Sequence, residues 1–386
     1  MRLLIAGGGT GGHIYPALAV ARSLRAQPDR PDAPELVWLG GHRGLESDLV
    51  TEAGIRVRRL ALRSLRTVDR SVHTVLDPIR LGLSVPQAAA ILASERPAAI
   101  FTTGGFVAIP VVMAAAPLRI PVILWEGNAI PGRSVRAIAR LADAIAVSYE
   151  AARAALAGAR VATYVTGTPI RDVTAISRDA ARARLGLPPD APVVLIFGGS
   201  QAVRRFNAAV AEALPRLVER VHVMHVTGDT AYAAALGSRE SLPAELRDRY
   251  HPYPFLRDDM LAALVATDLV VGRAGSSTVA EVTALGIPSV IVPYPHAAGH
   301  QVANAQVLAD AGAARIVPDE AFDADALVAA TDLLFDEPVR TAMAAAARRF
   351  GKPGAADAIA ALVLAAAQRQ PLPDAAAIEA IAQGSV

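Results

Sequence analysis

Residues 272–304, GRAGSSTVAEVTALGIPSVIVPYPHAAGHQVAN, carry the parts needed to hold a nucleotide sugar. After a short apolar run at 268–271, Gly272, Gly275, Ser276, Ser277 and Thr278 make a small polar turn. Val279, Val282 and Leu285 then recur at helical spacing until Gly286 and Pro288 stop them. Hydroxyls and unpaired N–H groups at a helix start attract an anion such as a phosphate. Glu281 lies about one turn further in, where a carboxylate can accept both hydroxyls of a ribose. Gln301 and Asn304 are spaced i, i+3, so on a helix they share a face from which two amides can read sugar hydroxyls. By residue type alone, Glu281 serves equally as an acid placed to complement the helix dipole, and the two amides as solvated surface.

A second group of chemical residues opens the chain. In RLLIAGGGTGGHIYPALAVARSL a four-residue apolar strand runs into glycines and then an amphipathic helix over about 14–24, with Pro16 compatible with its first turn. Gly7, Gly9 and Gly12 satisfy G-x-G-x-x-G, yet the next strand, 36–39, ends in Gly40-Gly41-His42. A nicotinamide enzyme needs an acid there to hold a ribose, so that function loses its support. His13 sits at the helix start, where the dipole disfavours the imidazolium and leaves a neutral base able to take a proton from an attacking hydroxyl. A helix-start histidine that merely donates to a nearby carbonyl is the competing role.

The strand and glycine-turn order recurs at Thr102-Thr103-Gly104-Gly105, and again at 193–214, where Gly198-Gly199-Ser200-Gln201 makes a second phosphate cradle. In an open parallel sheet, residues just past strand carboxyl ends sit in the crevice, which selects Glu126 and Asn128 after the strand at 122–125. Glu126 bracing its own loop is the alternative. Arg171, in the join YVTGTPIRDV, is placed to reach an anion, and Leu256 to pack on a base. Asp323-Ala324-Asp325 has the D-x-D spacing of some metal-dependent transferases, but capping of the following helix explains these acids better and no metal site is assigned.

The elements that must position these residues read as two related α/β halves, each opening with strand, glycine turn and helix. A length of 386 residues suits two domains, and the net charge of +2 gives a general nucleic-acid role no support. The absence of cysteine removes disulfides, thiolate nucleophiles and thiolate metal sites. The uncharged span 97–118 is long enough to cross a bilayer, but Gly104, Gly105, Pro110 and Pro117 break it into strand, turn and buried helix. From Arg56 to Arg80, arginines interleave with aliphatic residues in a mixture that suits anionic lipid or a polyprenyl diphosphate as well as a basic helix packed on a sheet. The tail ends in a weak helix expected to be poorly ordered.

Taken together, GGGTGGHIYPALAVA, TTGGFVAIPVV, WEGNAIPG, GTPIR, FGGSQAVRRFN and GRAGSSTVAEVTALGIPSVIVPYPHAAGHQVANA resemble the MurG family over about residues 1–368. The resemblance implies transfer of N-acetylglucosamine from UDP-GlcNAc to lipid I, undecaprenyl-diphospho-N-acetylmuramoyl-pentapeptide, with inversion and without an essential cofactor or metal. It implies a peripheral enzyme at the cytoplasmic leaflet of the cell membrane. The implied fold is GT-B: two Rossmann-like α/β domains with parallel sheets facing an interdomain cleft. Residues 1–165 would form the acceptor- and membrane-facing domain and 166–352 the UDP-sugar domain, with a helix at 353–368 crossing back and 369–386 as the tail.

Matched to the family's motifs, Thr10, Gly11, Gly12 and His13 form the first loop and Asn128 contacts the sugar. Arg171 and Ser200 contact the diphosphate, Glu281 binds the ribose, and Gln301 and Asn304 lie beside the donor sugar. The chain departs from the family in reading Trp125-Glu126-Gly127-Asn128 for the usual His-Glu-Gln-Asn, His300-Gln301 for the frequent Gln-Gln, and Ala202 for a glycine. Catalysis is expected from His13 and Glu126. The rivals are a GT-B transferase acting on a diacylglycerol or small-molecule acceptor, a UDP-sugar epimerase, and a non-catalytic nucleotide-sugar sensor.

Overall fold

Runs such as LLIA and VVLIF are apolar at every position, which a strand tolerates only when both of its faces are covered, as in a parallel sheet flanked by helices. The computed structural model describes residues 1–8, 11–26, 33–41, 46–62, 73–198, 203–256, 259–296 and 299–384. It contains two such sheets, each in its own compact unit: Met1–Arg171 with Lys352–Val386, and Asp172–Gly351.

The first unit holds β1 (Arg2–Ala6), β2 (Glu35–Gly40), β3 (Arg56–Arg59), β4 (Ala99–Thr102), β5 (Val122–Glu126), β6 (Ala144–Val147) and β7 (Ala162–Val165), in the order β3-β2-β1-β4-β5-β6-β7. Every pairing is parallel. Strand alternation sorts β1 between two cores. Leu3 and Ile5 pack with helices Gly11–Arg25 and Ala355–Ala367, and Leu4 and Ala6 with Val107, Val111 and Leu92 on the other face. The second unit repeats the plan with β8 (Val193–Phe197), β9 (His222–Val226), β10 (Tyr250–Tyr253), β11 (Leu269–Gly272), β12 (Ser289–Ile291) and β13 (Arg315–Ile316), in the order β10-β9-β8-β11-β12-β13. In both sheets the order reverses beside the first strand, between β1 and β4 and between β8 and β11, and such switch points are where open α/β sheets bind ligands.

Two expectations change. The first helix begins at Gly11 rather than near residue 14. The tail is packed rather than loose. Its last helix, Ala375–Ala382, buries Ile378 and Ala382 against the first unit, Tyr164 Oη donates to Pro373 O at 3.1 Å, and Lys352 pairs with Glu379 at 3.2 Å. Of the arginines from residue 56, two are placed by ion pairs. Arg56 and Arg58 lie on the edge strand β3 and close on the buried carboxylate of Glu95 at 2.7 Å each, with Arg56 also meeting Glu35. Residues 63–72, with Arg63, Arg66 and Arg70, lie outside the described residues. The span 97–118 is β4, a glycine turn and the helix Gly105–Leu118. Asp323 caps the helix Ala324–Thr331 by accepting from Ala326 N–H at 2.9 Å.

Candidate functional site

At the switch point of the first sheet, the helix Gly11–Arg25 starts beside the end of β1, and the turn after β4 comes alongside it. Thr103 N–H donates to Ala6 O at 3.3 Å, which fixes the Thr103 carbonyl over the helix start. His13 Nδ1 lies 2.8 Å from that carbonyl oxygen. A carbonyl only accepts, so Nδ1 carries the hydrogen, and in the neutral ring the lone pair is left on Nε2. Burial pushes the His13 pKa below its ordinary value, while the Thr103 hydrogen bond and the charge of Glu126 oppose that shift. The imidazole is therefore a neutral base at physiological pH.

Space in front of Nε2 is kept by glycine. Gly104 and Gly105 have φ of +80° and +74°, in the left-handed region that side chains disfavour. A Cβ on Gly105 would stand 3.6 Å from both His13 Nε2 and Gly8 O. Gly11 and Gly12 form the first helical residues, with Gly12 exposed. Thr10 lies outside the described residues.

Glu126 ends β5 and is 4% exposed. Its Oε1 accepts from the N–H of Asn128 at 2.9 Å and from Asn128 Nδ2 at 3.1 Å, while Oε2 accepts from Gly132 N–H at 2.7 Å. Both oxygens are thus engaged in holding the loop 126–132. This revises its expected catalytic role: Glu126 positions Asn128 and acts on His13 through its charge. Asn128 itself is half-buried.

The second switch point lies between β8 and β11. The loop carrying Ser200 falls outside the described residues, and the helix Val203–Val218 follows it. After β11 the helix Ser276–Leu285 begins at Gly275, which has an extended conformation and no side-chain cap. Ser277 and Thr278 are half-buried on its first turn, and Glu281 is 7% exposed. Gly286 ends the helix in the left-handed conformation. First-turn N–H groups beside two hydroxyls suit a phosphate, with the carboxylate one turn deeper.

Two other expected contacts resolve differently. Asn304 is fully buried, and its Nδ2 donates to Ala274 O at 3.2 Å, tying its helix to the loop that launches Ser276. It braces the site, on the same helix face as Gln301. Gln301, half-buried, accepts from Tyr294 N–H at 3.0 Å. Leu256 is 6% exposed within a core shared with Phe197 and Met224, so its side chain is core rather than a platform for a base. Arg171, half-buried, is the last residue before the second unit.

Sequence reasoning missed Arg273. Buried in the turn after β11, it donates to Val292 O at 3.0 Å and to Asp319, which also pairs with Arg205 at 3.3 Å. Its guanidinium lies over the rings of Phe206 and Tyr294, at 4.8 and 5.3 Å from their centres. It therefore ties the helix that follows the Ser200 loop to the turn that leads into Ser276. The available signal was an arginine among small residues right after a buried strand.

Comparison with known proteins covers both units. Residues 3–147 match the glycosyltransferase family 28 N-terminal domain and residues 193–360 the family 28 C-terminal domain. The chain is 38% identical over 361 residues to the UDP-N-acetylglucosamine--N-acetylmuramyl-(pentapeptide) pyrophosphoryl-undecaprenol N-acetylglucosamine transferase of Lactiplantibacillus plantarum, covering 92% of this chain and 97% of that protein. The Moorella thermoacetica protein of the same description is 38% identical over 375 residues, covering 94% and 98%. Among solved structures, Acinetobacter baumannii MurG superposes with a TM-score of 0.73 at 28% identity, covering 94% of this chain and 99% of that one. A putative UDP-N-acetylglucosamine 2-epimerase from Listeria monocytogenes gives 0.70 at 14% identity, covering 97% and 99%, a likeness of fold alone.

Proposed function

The chain belongs to the MurG family within glycosyltransferase family 28, and from that membership we propose that it moves N-acetylglucosamine from UDP-GlcNAc to undecaprenyl-diphospho-N-acetylmuramoyl-pentapeptide. It is a hexosyltransferase of GT-B fold.

The acceptor's sugar hydroxyl attacks C1 of the donor sugar and gives its proton to His13 Nε2. The bond from C1 to the β-phosphate oxygen breaks, its electron pair leaves with UDP, and a single displacement inverts the anomeric carbon. N–H groups at the start of Ser276–Leu285 stabilise the charge that develops on the diphosphate, with Ser277 and Thr278 beside them; such fixed donors commonly provide the largest share of catalysis. Glu281 binds the ribose, Arg171 and Ser200 the diphosphate, and Asn128, held by Glu126, the sugar. The observation that carries this reading is the contact of His13 Nδ1 with Thr103 O, which leaves Nε2 beside Gly105 to accept a proton.

The enzyme works as a peripheral protein on the cytoplasmic leaflet, where its lipid-linked acceptor resides. Exposed Met113 and Leu118 on the helix Gly105–Leu118, followed by exposed Arg119, support this: apolar groups enter the leaflet while a cation meets anionic headgroups. Labelled UDP-GlcNAc supplied with and without a lipid I analogue tests the assignment. Label should pass to the lipid only when the analogue is present; transfer to a diacylglycerol instead, or a UDP-linked epimer formed without acceptor, would refute it.

A further inference from the structure

The second sheet has a second feature at its other end. Asp268 and Pro192 precede β11 and β8, so they lie one strand length, about 15–20 Å, from the turns that hold the donor. A cleft of 420 Å³, open to solvent, lies there, lined by Arg178, Arg182 and Arg340, by Asp190 and Asp268, and by Phe335. Its size falls in the range of small-molecule sites.

The charges are unevenly matched. Asp268 is fully engaged: Oδ1 pairs with Arg178, and Oδ2 accepts from Arg182 and from Val193 N–H, both at 2.9 Å. Arg182 is buried and further held by the carbonyls of Ala266, Pro188 and Pro189. Burial, and after it the nearby Arg178 guanidinium, lower its pKa, while Asp268 and Asp190 oppose that shift. Arg340 donates to Leu334 O at 3.2 Å, and among the described residues no carboxylate pairs with it. Asp190 faces the same space and acts on Arg182 only through its field. Phe335 is 53% exposed, unusual for its size, with Arg220 at 4.5 Å from its ring centre.

We propose that this cavity binds a small phosphorylated molecule, its phosphate taken by Arg340 and the exposed side of Arg178, its carbon skeleton lying against Phe335 and Pro189. Forked guanidinium donors fit a phosphate in bidentate fashion. A volume of 420 Å³ exceeds what inorganic phosphate fills, so an organic phosphate makes the better occupant.

Calorimetric titration of the full chain, saturated with UDP so that the donor site is closed to other anions, tests the site with glucose 6-phosphate, inorganic phosphate and citrate. Saturable binding of glucose 6-phosphate, tighter than either of the others, is expected. Arg340→Gln should weaken it by about tenfold or more, and Asp190→Asn, which removes a like charge, should tighten it. No saturable binding to the UDP-saturated protein, citrate binding as well as the phosphate ester, or affinities unmoved by both substitutions would overturn the proposal.

Discussion

His13 Nδ1 lies 2.8 Å from the carbonyl oxygen of Thr103, a residue ninety positions away that the β1–β4 pairing brings alongside. That one hydrogen bond sets the tautomer and points Nε2 at the space in front of Gly105.

The first prediction concerns pH. A histidine whose pKa lies below its ordinary 6.5 in the folded protein stays unprotonated as pH falls through that value, so the base is present across the neutral range. The plot of kcat/KM against pH should therefore be level from neutral pH down past 6.5 and decline only below it. A decline beginning above pH 7 would show another group in control.

Glu281 is buried one turn into the helix Ser276–Leu285. Replacing it with alanine should weaken UDP binding by about 1–3 kcal/mol, the scale of a lost charged hydrogen bond. Calorimetry with UDP alone measures this, and unchanged affinity would remove Glu281 from the ribose.

Much of this layout was legible in the sequence, because its signals are local. LLIA and VVLIF followed by glycines and a helical period announce parallel sheets, and the places of His13 and Glu281 on helices follow from the same period. Contacts that depend on which strands become neighbours were not legible. Nothing near His13 names Thr103 as its partner, and the spacing of Gln301 and Asn304 defines a face without saying that Asn304 meets Ala274 O. The edge strand β3, RVRR, hid because two of its arginines, Arg56 and Arg58, pair with Glu95, far along the chain. Arg273 looked like one more polar turn residue, since only the fold stacks Phe206 and Tyr294 on it.

That stacking gives a third prediction. Lysine cannot offer a planar face to two rings while donating to Val292 O and Asp319, so Arg273→Lys should lower the melting temperature. It should also weaken UDP binding, because the turn before Ser276 loses its brace. A variant with normal stability and normal UDP affinity would contradict the bracing role.

The packed tail gives a fourth. A Cβ on Gly354 would stand 2.0 Å from Ile381 O, so Gly354→Ala must displace the helix Ala375–Ala382. A loss of about 1–3 kcal/mol is expected, the usual cost of overpacking. Limited proteolysis should then cut within residues 370–384, which should resist in the unaltered protein. Equal resistance in both would show the tail is not held at Gly354.

The central claim is that His13 takes the acceptor's proton. The most direct measurement is UDP release by His13→Ala at saturating UDP-GlcNAc and lipid I analogue, with UDP affinity determined on the same protein. A fall in kcat of about 10²–10⁴-fold at unchanged UDP affinity is the predicted result. Near-normal turnover would contradict it.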